Sequence, residues 1–220
     1  MKKLSEYINE AYEVIFRDRV QPKTTSELKQ IIKDAFNHNI YNLNFIDISK
    51  ITDMSKLFGN VEHDFDVSSW DVSNVIDISF MFYGCHNFNC DLSKWDVSNV
   101  TNMSYMFSNC YKLEGKGLEH WDVSNVTDMA GMFVGCENFN CGLSYWDVSN
   151  VTCMEYMFNG CKNFNCDLSY WDVSNVTDMD NMFVNCKKFN CDLSDWNIAN
   201  ITRWKNMFDG CNMTIPNWYK

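Results

Sequence analysis

Apolar residues return at a constant interval along most of the chain. A tryptophan recurs every 25 or 26 residues, and a phenylalanine follows each tryptophan twelve residues later. A fixed period of this length indicates that each repeat is one structural unit, which buries its apolar side against its neighbours. A degenerate first repeat begins near Phe45, so the chain carries about seven repeats. The recurring tryptophans are Trp70, Trp95, Trp121, Trp146, Trp171 and Trp196.

The pattern inside one repeat predicts a short helical turn followed by extended chain. Met179, Met182 and Phe183 have the i, i+3, i+4 spacing of one apolar helix face. Two residues after each such phenylalanine stands Gly or Asn, as in Gly160 and Asn185, and these residues readily adopt the left-handed conformation that ends a helix. The remainder of each repeat predicts one or two short strands. We therefore expect an α/β solenoid of about seven 25-residue coils.

Residues 1–44 differ in kind from the repeats. Apolar residues follow helical spacing from Leu4 to roughly residue 19, and Pro22 then interrupts the chain. The run 24–27 (Thr-Thr-Ser-Glu) fits a capping box at the start of a second helix. These residues predict an α-helical N-terminal cap, with domains 1–44 and 45–220.

Composition and charge exclude several classes of protein. The chain is 46% hydrophobic, which suffices for a core. It has no run of 18 apolar residues, so membrane insertion is not predicted. The net charge of −11 argues against nucleic acid as a partner. After Lys2 and Lys3, the charged residues Glu6 and Glu10 come too early for the apolar region of a signal peptide, so no secretion signal is predicted and synthesis in the cytoplasm is expected.

Asparagines and cysteines recur in register with the tryptophans. We expect the tryptophans to pack from coil to coil rather than stack on a sugar, and the asparagines to form an internal ladder. The cysteines are interpreted as small buried thiols; disulfides and zinc are the alternatives, although the Cys-x4-Cys spacing does not suit zinc. The ladder residues are Asn74, Asn99, Asn125, Asn150, Asn175 and Asn200, with Cys85, Cys110, Cys136, Cys161, Cys186 and Cys211.

Aspartates also form columns, of which Asp147 and Asp172 are members. Stacked carboxylates could bind calcium, but hydrogen bonding of each Asp to its own turn is the favoured interpretation. The sequence also has no Gly-rich phosphate loop and no nucleophile beside a distinct His. Since every acidic pair is repeated, we predict no catalytic residues, no cofactor and no metal site.

Positions that vary between repeats are predicted to point outward and to contact a partner. Tyr145 and Tyr170 would make an exposed aromatic pair, of the kind that anchors interfaces. An ordinary solvated surface is the alternative. The candidate binding residues are Lys94, His120, Tyr145 and Tyr170, immediately before the tryptophans, and Tyr105 and Tyr156, within the predicted helical turns.

The repeat Trp-Asp-Val-Ser-Asn-Val-Thr-Asp-Met-x-x-Met-Phe-x-Gly-Cys-x-x-Phe-Asn resembles the BspA-like leucine-rich-repeat surface proteins, in their Trp-Asp-Val-Ser-Asn-Val branch. The resemblance covers residues 45–220, and the opening residues 3–8 also resemble the start of several gut-phage proteins. It implies an LRR-like solenoid on a cell or virion surface that binds a protein or a surface glycan without catalysis. The alternative is a structural component docked to a larger assembly through its N-terminal helix. The localisation stays open between that surface and the cytoplasm.

Overall fold

The computed structural model of the chain describes residues 20–219. These residues contain one α-helix, α1 (Thr25–Asn37), and one 3₁₀ turn, Leu118–His120. Their strand pairings are isolated parallel bridges of one residue each, as between Asp178 and Arg203, and no sheet forms among them. The predicted LRR-like α/β solenoid of about seven coils is therefore wrong, because the described repeats contain no α-helix and no strand longer than an isolated bridge, and their one helical element is the 3₁₀ turn.

A left-handed residue inside each repeat explains why the predicted helical turn does not form. Asn181, between Met179 and Met182, has φ 57°. A residue of this conformation reverses the winding of the backbone, so a right-handed turn cannot continue through it. The Gly or Asn position four residues later is also left-handed, as predicted. The residues equivalent to Asn181 are Lys56, Phe80, Tyr105, Gly131, Tyr156 and Asn206.

Backbone hydrogen bonds join each repeat to the next in place of a sheet. Four alternate N–H groups of one repeat donate to four carbonyls of the following repeat, and the residues between them bond locally. These hydrogen bonds form four series along the molecule, and in each series the N–H groups point toward the C-terminal repeat. In a fifth series, at the threonine position, each backbone N–H donates to the preceding repeat instead, as Thr177 does to Thr152. In the last pair of repeats the donors are Met179, Asn181, Phe183 and Asn185, and the acceptors are Arg203, Lys205, Met207 and Asp209, at 2.7–2.9 Å.

The core is a stack of phenylalanine rings that runs through all the repeats. The rings of successive repeats are parallel within 10°, with centroids 5.5–5.8 Å apart. A second phenylalanine packs on this stack in most repeats, as Phe164 does on Phe158 at 4.2 Å. Each repeat therefore buries its aromatic rings against both neighbours. The stacked residues are Phe58, Phe82, Phe107, Phe133, Phe158, Phe183 and Phe208.

Helix α1 packs on the first repeat through its buried residues Leu28, Ile32 and Ala35. The helix start predicted from the run 24–27 is confirmed. The N-cap residue is Thr24, whose hydroxyl accepts from the backbone N–H of Glu27 at 3.2 Å. The helix predicted for residues 4–19 lies outside the described residues, and the division into domains 1–44 and 45–220 stays a prediction. No helix of the described chain is long and apolar enough to span a bilayer.

Candidate functional site

The tryptophan side chains are buried and held by the preceding repeat. In each, the indole N–H donates to a backbone carbonyl at 2.8–3.2 Å, as Trp171 does to Leu143. Because the exposed fraction of each residue is 5% or less, these rings cannot stack on a sugar. Every repeat is thereby tied to its neighbour in a single register. The members are Trp70, Trp95, Trp121, Trp146, Trp171 and Trp196.

The asparagine amides also bridge repeats, but on the outside of the molecule. Each donates to the carbonyl of a serine in the preceding repeat at 2.6–3.0 Å, as Asn175 does to Ser149. The predicted ladder is therefore exposed rather than internal, because the neighbouring valine, Val176 in this repeat, occupies the interior position. The members are Asn74, Asn99, Asn125, Asn150, Asn175 and Asn200.

The first cysteine of each repeat lies beside the phenylalanine stack. Its thiol donates to a phenylalanine carbonyl of the preceding repeat, for instance from Cys161 to Phe133 at 3.0 Å. All eleven cysteines are free thiols, and burial raises the pKa of Cys85 to about 11. Thiols held in this protonated form are poor nucleophiles. The members are Cys85, Cys110, Cys136, Cys161 and Cys186, which are buried, and Cys211, which is half-buried.

The aspartates that follow the tryptophans stabilise their own turns. The carboxylate of Asp172 accepts from the backbone N–H of Ser174 at 3.0 Å. Hydrogen bonds from the Ser174 hydroxyl and from this N–H hold the pKa of Asp172 below its ordinary value. Within residues 20–219 no group of three or more His, Cys, Asp or Glu side chains could hold a metal ion.

Four of the six candidate binding residues form one exposed row. Lys94, His120, Tyr145 and Tyr170 occupy the same position in successive repeats, and all four are exposed. Tyr145 is 95% exposed and Tyr170 is 85% exposed. Since these two tyrosines are one repeat apart, their rings lie at neighbouring levels on the same side of the molecule. We call these four residues the outer row.

The other two candidates, Tyr105 and Tyr156, belong to a different row. They stand at the left-handed position with Phe80 and Gly131, and we call these four residues the aromatic row. The rings of Phe80 and Tyr105 are stacked with centroids 4.9 Å apart, and Tyr156 is 37% exposed. The structure thus separates the predicted residues into two surfaces.

Beside the aromatic row, Glu155 and Arg203 were missed from the sequence, whereas Asp128 and Asp178 belong to the aspartate columns recognised there. Asp128, Glu155 and Asp178 are half-buried, and Arg203 pairs with Asp178 at 2.9 Å and with Asp180 at 2.7 Å. Burial raises the pKa of Glu155, and the charge of Asp178 adds to that effect. Variation between repeats could have drawn attention to Glu155, because the equivalent position holds Ser, Ala, Asp or Lys in the other repeats.

Gly131 allows Tyr105 to lie flat against the next repeat. A Cβ at residue 131 would overlap the ring of Tyr105, and the residue has φ 58°. We expect Gly131→Ala to lower the free energy of unfolding by about 1–2 kcal/mol, from the left-handed backbone and the displaced ring. Urea unfolding measures this loss.

Gly142 provides the matched control for that substitution. A Cβ at this position meets no atom within 4 Å, and its backbone is not left-handed. Gly142→Ala is therefore expected to change the free energy of unfolding by less than about 0.5 kcal/mol. Equal losses in the two variants would contradict the role of Gly131.

A family model covers almost all of the described chain. The model DUF285, described as Mycoplasma protein of unknown function, matches residues 26–117 and 110–218. The comparisons with curated proteins and with solved structures found no match. The two matched segments overlap, and together they include α1 and the repeats up to residue 218. The chain therefore belongs to the DUF285 family.

Proposed function

We propose that this protein is a non-enzymatic binding module whose outer row contacts a protein or a surface glycan. The observation that carries the proposal is the exposure of Tyr145 and Tyr170, at 95% and 85%. An exposed pair of large aromatic side chains is the usual centre of a binding surface, since aromatic anchors dominate interface energies.

The scaffold beneath the outer row favours binding at a low entropic cost. Trp146 and Trp171, next in sequence to the two tyrosines, are buried and hydrogen-bonded to the preceding repeat. The backbone that carries Tyr145 and Tyr170 is therefore fixed before a partner arrives. A preorganised surface loses less conformational freedom on binding. Only the two tyrosine side chains remain to be ordered.

The chemistry of the other polar residues is consistent with binding without catalysis. Burial raises the pKa values of Cys85, Cys90 and Cys191 to about 11 each. The carboxylates after the tryptophans accept hydrogen bonds from their own turns. The resemblance of the repeat to BspA-like proteins supports placement on a cell or virion surface. The alternative, docking through the helix predicted for residues 4–19, rests on residues that the structure does not describe.

The experiment is binding of fluorescently labelled protein to printed arrays of purified glycans and of purified extracellular proteins. We expect saturable binding that Tyr145→Ser combined with Tyr170→Ser weakens by about 100-fold, because two anchors are lost. Tyr111→Ser is the control: Tyr111 is also exposed but stacks on His86 in another row, at 4.6 Å. Undiminished binding by the double variant, or no binding of the wild type on either array, would refute the proposal.

A further inference from the structure

The aromatic row has one of the protein's own cations at each of its ends. The Lys56 ammonium lies over the ring of Phe80, with Nζ 5.5 Å from the centroid. At the other end, the Arg203 guanidinium donates to the Asp180 carboxylate at 2.7 Å and lies 2.9 Å from the carboxylate of Asp178. Cations are attracted both to ring faces and to carboxylates, so the cation at each end already has a favourable contact within the protein.

The middle of the row combines tyrosine rings with nearby carboxylates. Tyr105 and Tyr156 flank Gly131 there; Asp128 lies in the repeat of Gly131 and Glu155 in the repeat of Tyr156. Among residues 20–219, no Lys or Arg forms an ion pair with Asp128 or Glu155. Gly131 has no side chain, and the ring of Tyr105 lies where its Cβ would otherwise stand.

The charges around Glu155 are mostly negative. Burial raises the pKa of Glu155, and Asp178, Asp180 and Asp128 raise it further; Arg203 opposes them. Arg203 already forms ion pairs with Asp178 and Asp180, so its positive charge is shared with those two carboxylates. Burial also raises the pKa of Tyr105, with a contribution from the charge of Glu155. An added cation would relieve this repulsion.

We infer that the middle of the aromatic row binds an arginine side chain of a partner protein. The guanidinium would lie against the exposed part of Tyr156 and pair with the carboxylate of Glu155. Arginine suits the site better than lysine, since its planar group stacks on rings and donates two parallel hydrogen bonds to a carboxylate. The overall charge of −11 also favours a basic partner.

This site goes beyond the proposed function, because it does not use the outer row. The aromatic row and the outer row carry different residues of each repeat, so one surface can fail to bind while the other succeeds. The double variant Tyr145→Ser and Tyr170→Ser is therefore expected to retain arginine binding. Failure of the proposed function and failure of this inference are then seen separately.

The test is an NMR titration of the whole chain with the capped peptide acetyl-Gly-Arg-Gly-amide, observed at the tyrosine ring signals. We expect saturable shifts of Tyr105 and Tyr156, and affinity about tenfold lower for the same peptide with citrulline, which keeps the shape and loses the charge. Glu155→Gln should weaken arginine binding about fivefold or more. Glu137→Gln is the control, because Glu137 is a surface carboxylate with its own partner, Lys162, at 2.7 Å.

Three outcomes would overturn the inference. Equal affinity for the arginine and citrulline peptides would show that charge plays no part. Glu155 would be excluded as the partner of the guanidinium if Glu155→Gln bound the arginine peptide with unchanged affinity. The other ring signals of the variant should keep their wild-type positions, which shows that its fold is intact. Tighter binding of spermidine than of the arginine peptide at the same two rings would assign the site to a free polyamine instead of a protein.

Discussion

Raising the pH from about 8 to about 11 is expected to unfold the protein, because its buried thiols resist ionisation. Thiols ordinarily ionise near pH 9.0, and they do so in the unfolded chain. In the folded protein, burial raises their pKa values to about 11 for Cys85 and about 12 for Cys141, and it also raises those of Cys136 and Cys161.

The sign of the effect follows from the protons bound in each state. Between pH 9 and the folded pKa values, the folded state binds more protons than the unfolded state, so the free energy of unfolding falls as the pH rises. The stabilisation is complete below pH 9. One pKa unit corresponds to about 1.4 kcal/mol per thiol, so a few fully buried thiols amount to a loss on the order of 5 kcal/mol at pH 10.

Urea unfolding at a series of pH values under reducing conditions measures this loss. The matched variant is Cys136→Ala, which removes one fully buried thiol and should reduce the slope by up to about 1.4 kcal/mol per pH unit. A free energy of unfolding that stays constant up to about pH 10.5, or a slope in Cys136→Ala equal to that of the wild type, would contradict the assignment to buried thiols.

Truncation of the central phenylalanine stack is expected to have the other large effect. Phe158 is fully buried, with ring centroids 5.7 Å from Phe133 and Phe183 and 4.2 Å from Phe164. Phe158→Ala removes these contacts and leaves a cavity that the neighbouring repeats cannot close, since hydrogen bonds fix their spacing. We expect the free energy of unfolding to fall by about 3–5 kcal/mol in urea titrations.

Tyr170→Ala is the matched control, because it removes an aromatic ring of similar size from the end of the same repeat. Tyr170 is 85% exposed, so its truncation should cost less than about 0.5 kcal/mol. A cost below about 1 kcal/mol for Phe158→Ala, or equal costs in the two variants, would show that the stack does not provide the core.

The sequence predicted the register of the repeats and failed on their local conformation. Identical spacing of Trp171 and Trp196 placed their indoles at equivalent sites, which the structure shows. The i, i+3, i+4 spacing of Met179, Met182 and Phe183 suggested a helical turn, yet the same spacing arises around the left-handed Asn181. Phe80 and Tyr105 are unusual residues for that conformation, so no local propensity revealed it.

Part of the candidate surface was also predictable. Tyr145 and Tyr170 vary between repeats and are exposed, as variation at a repeat position suggested. The charges around Glu155 were not predicted, because the pairing of Arg203 with Asp178 and Asp180 depends on side-chain directions across two repeats. Spacing along the chain does not determine those directions.

The hydrogen bonds between repeats give the molecule a direction along its length. In four series of peptide groups every N–H points toward the C-terminal repeat, and only the threonine series opposes them. Peptide dipoles aligned in this way add, as they do in an α-helix and not in a sheet. The end near Lys56 is then the negative pole and the end near Asn206 the positive pole. The field of these dipoles would therefore turn any charged partner that approaches this acidic protein, with its cationic side toward the first repeat.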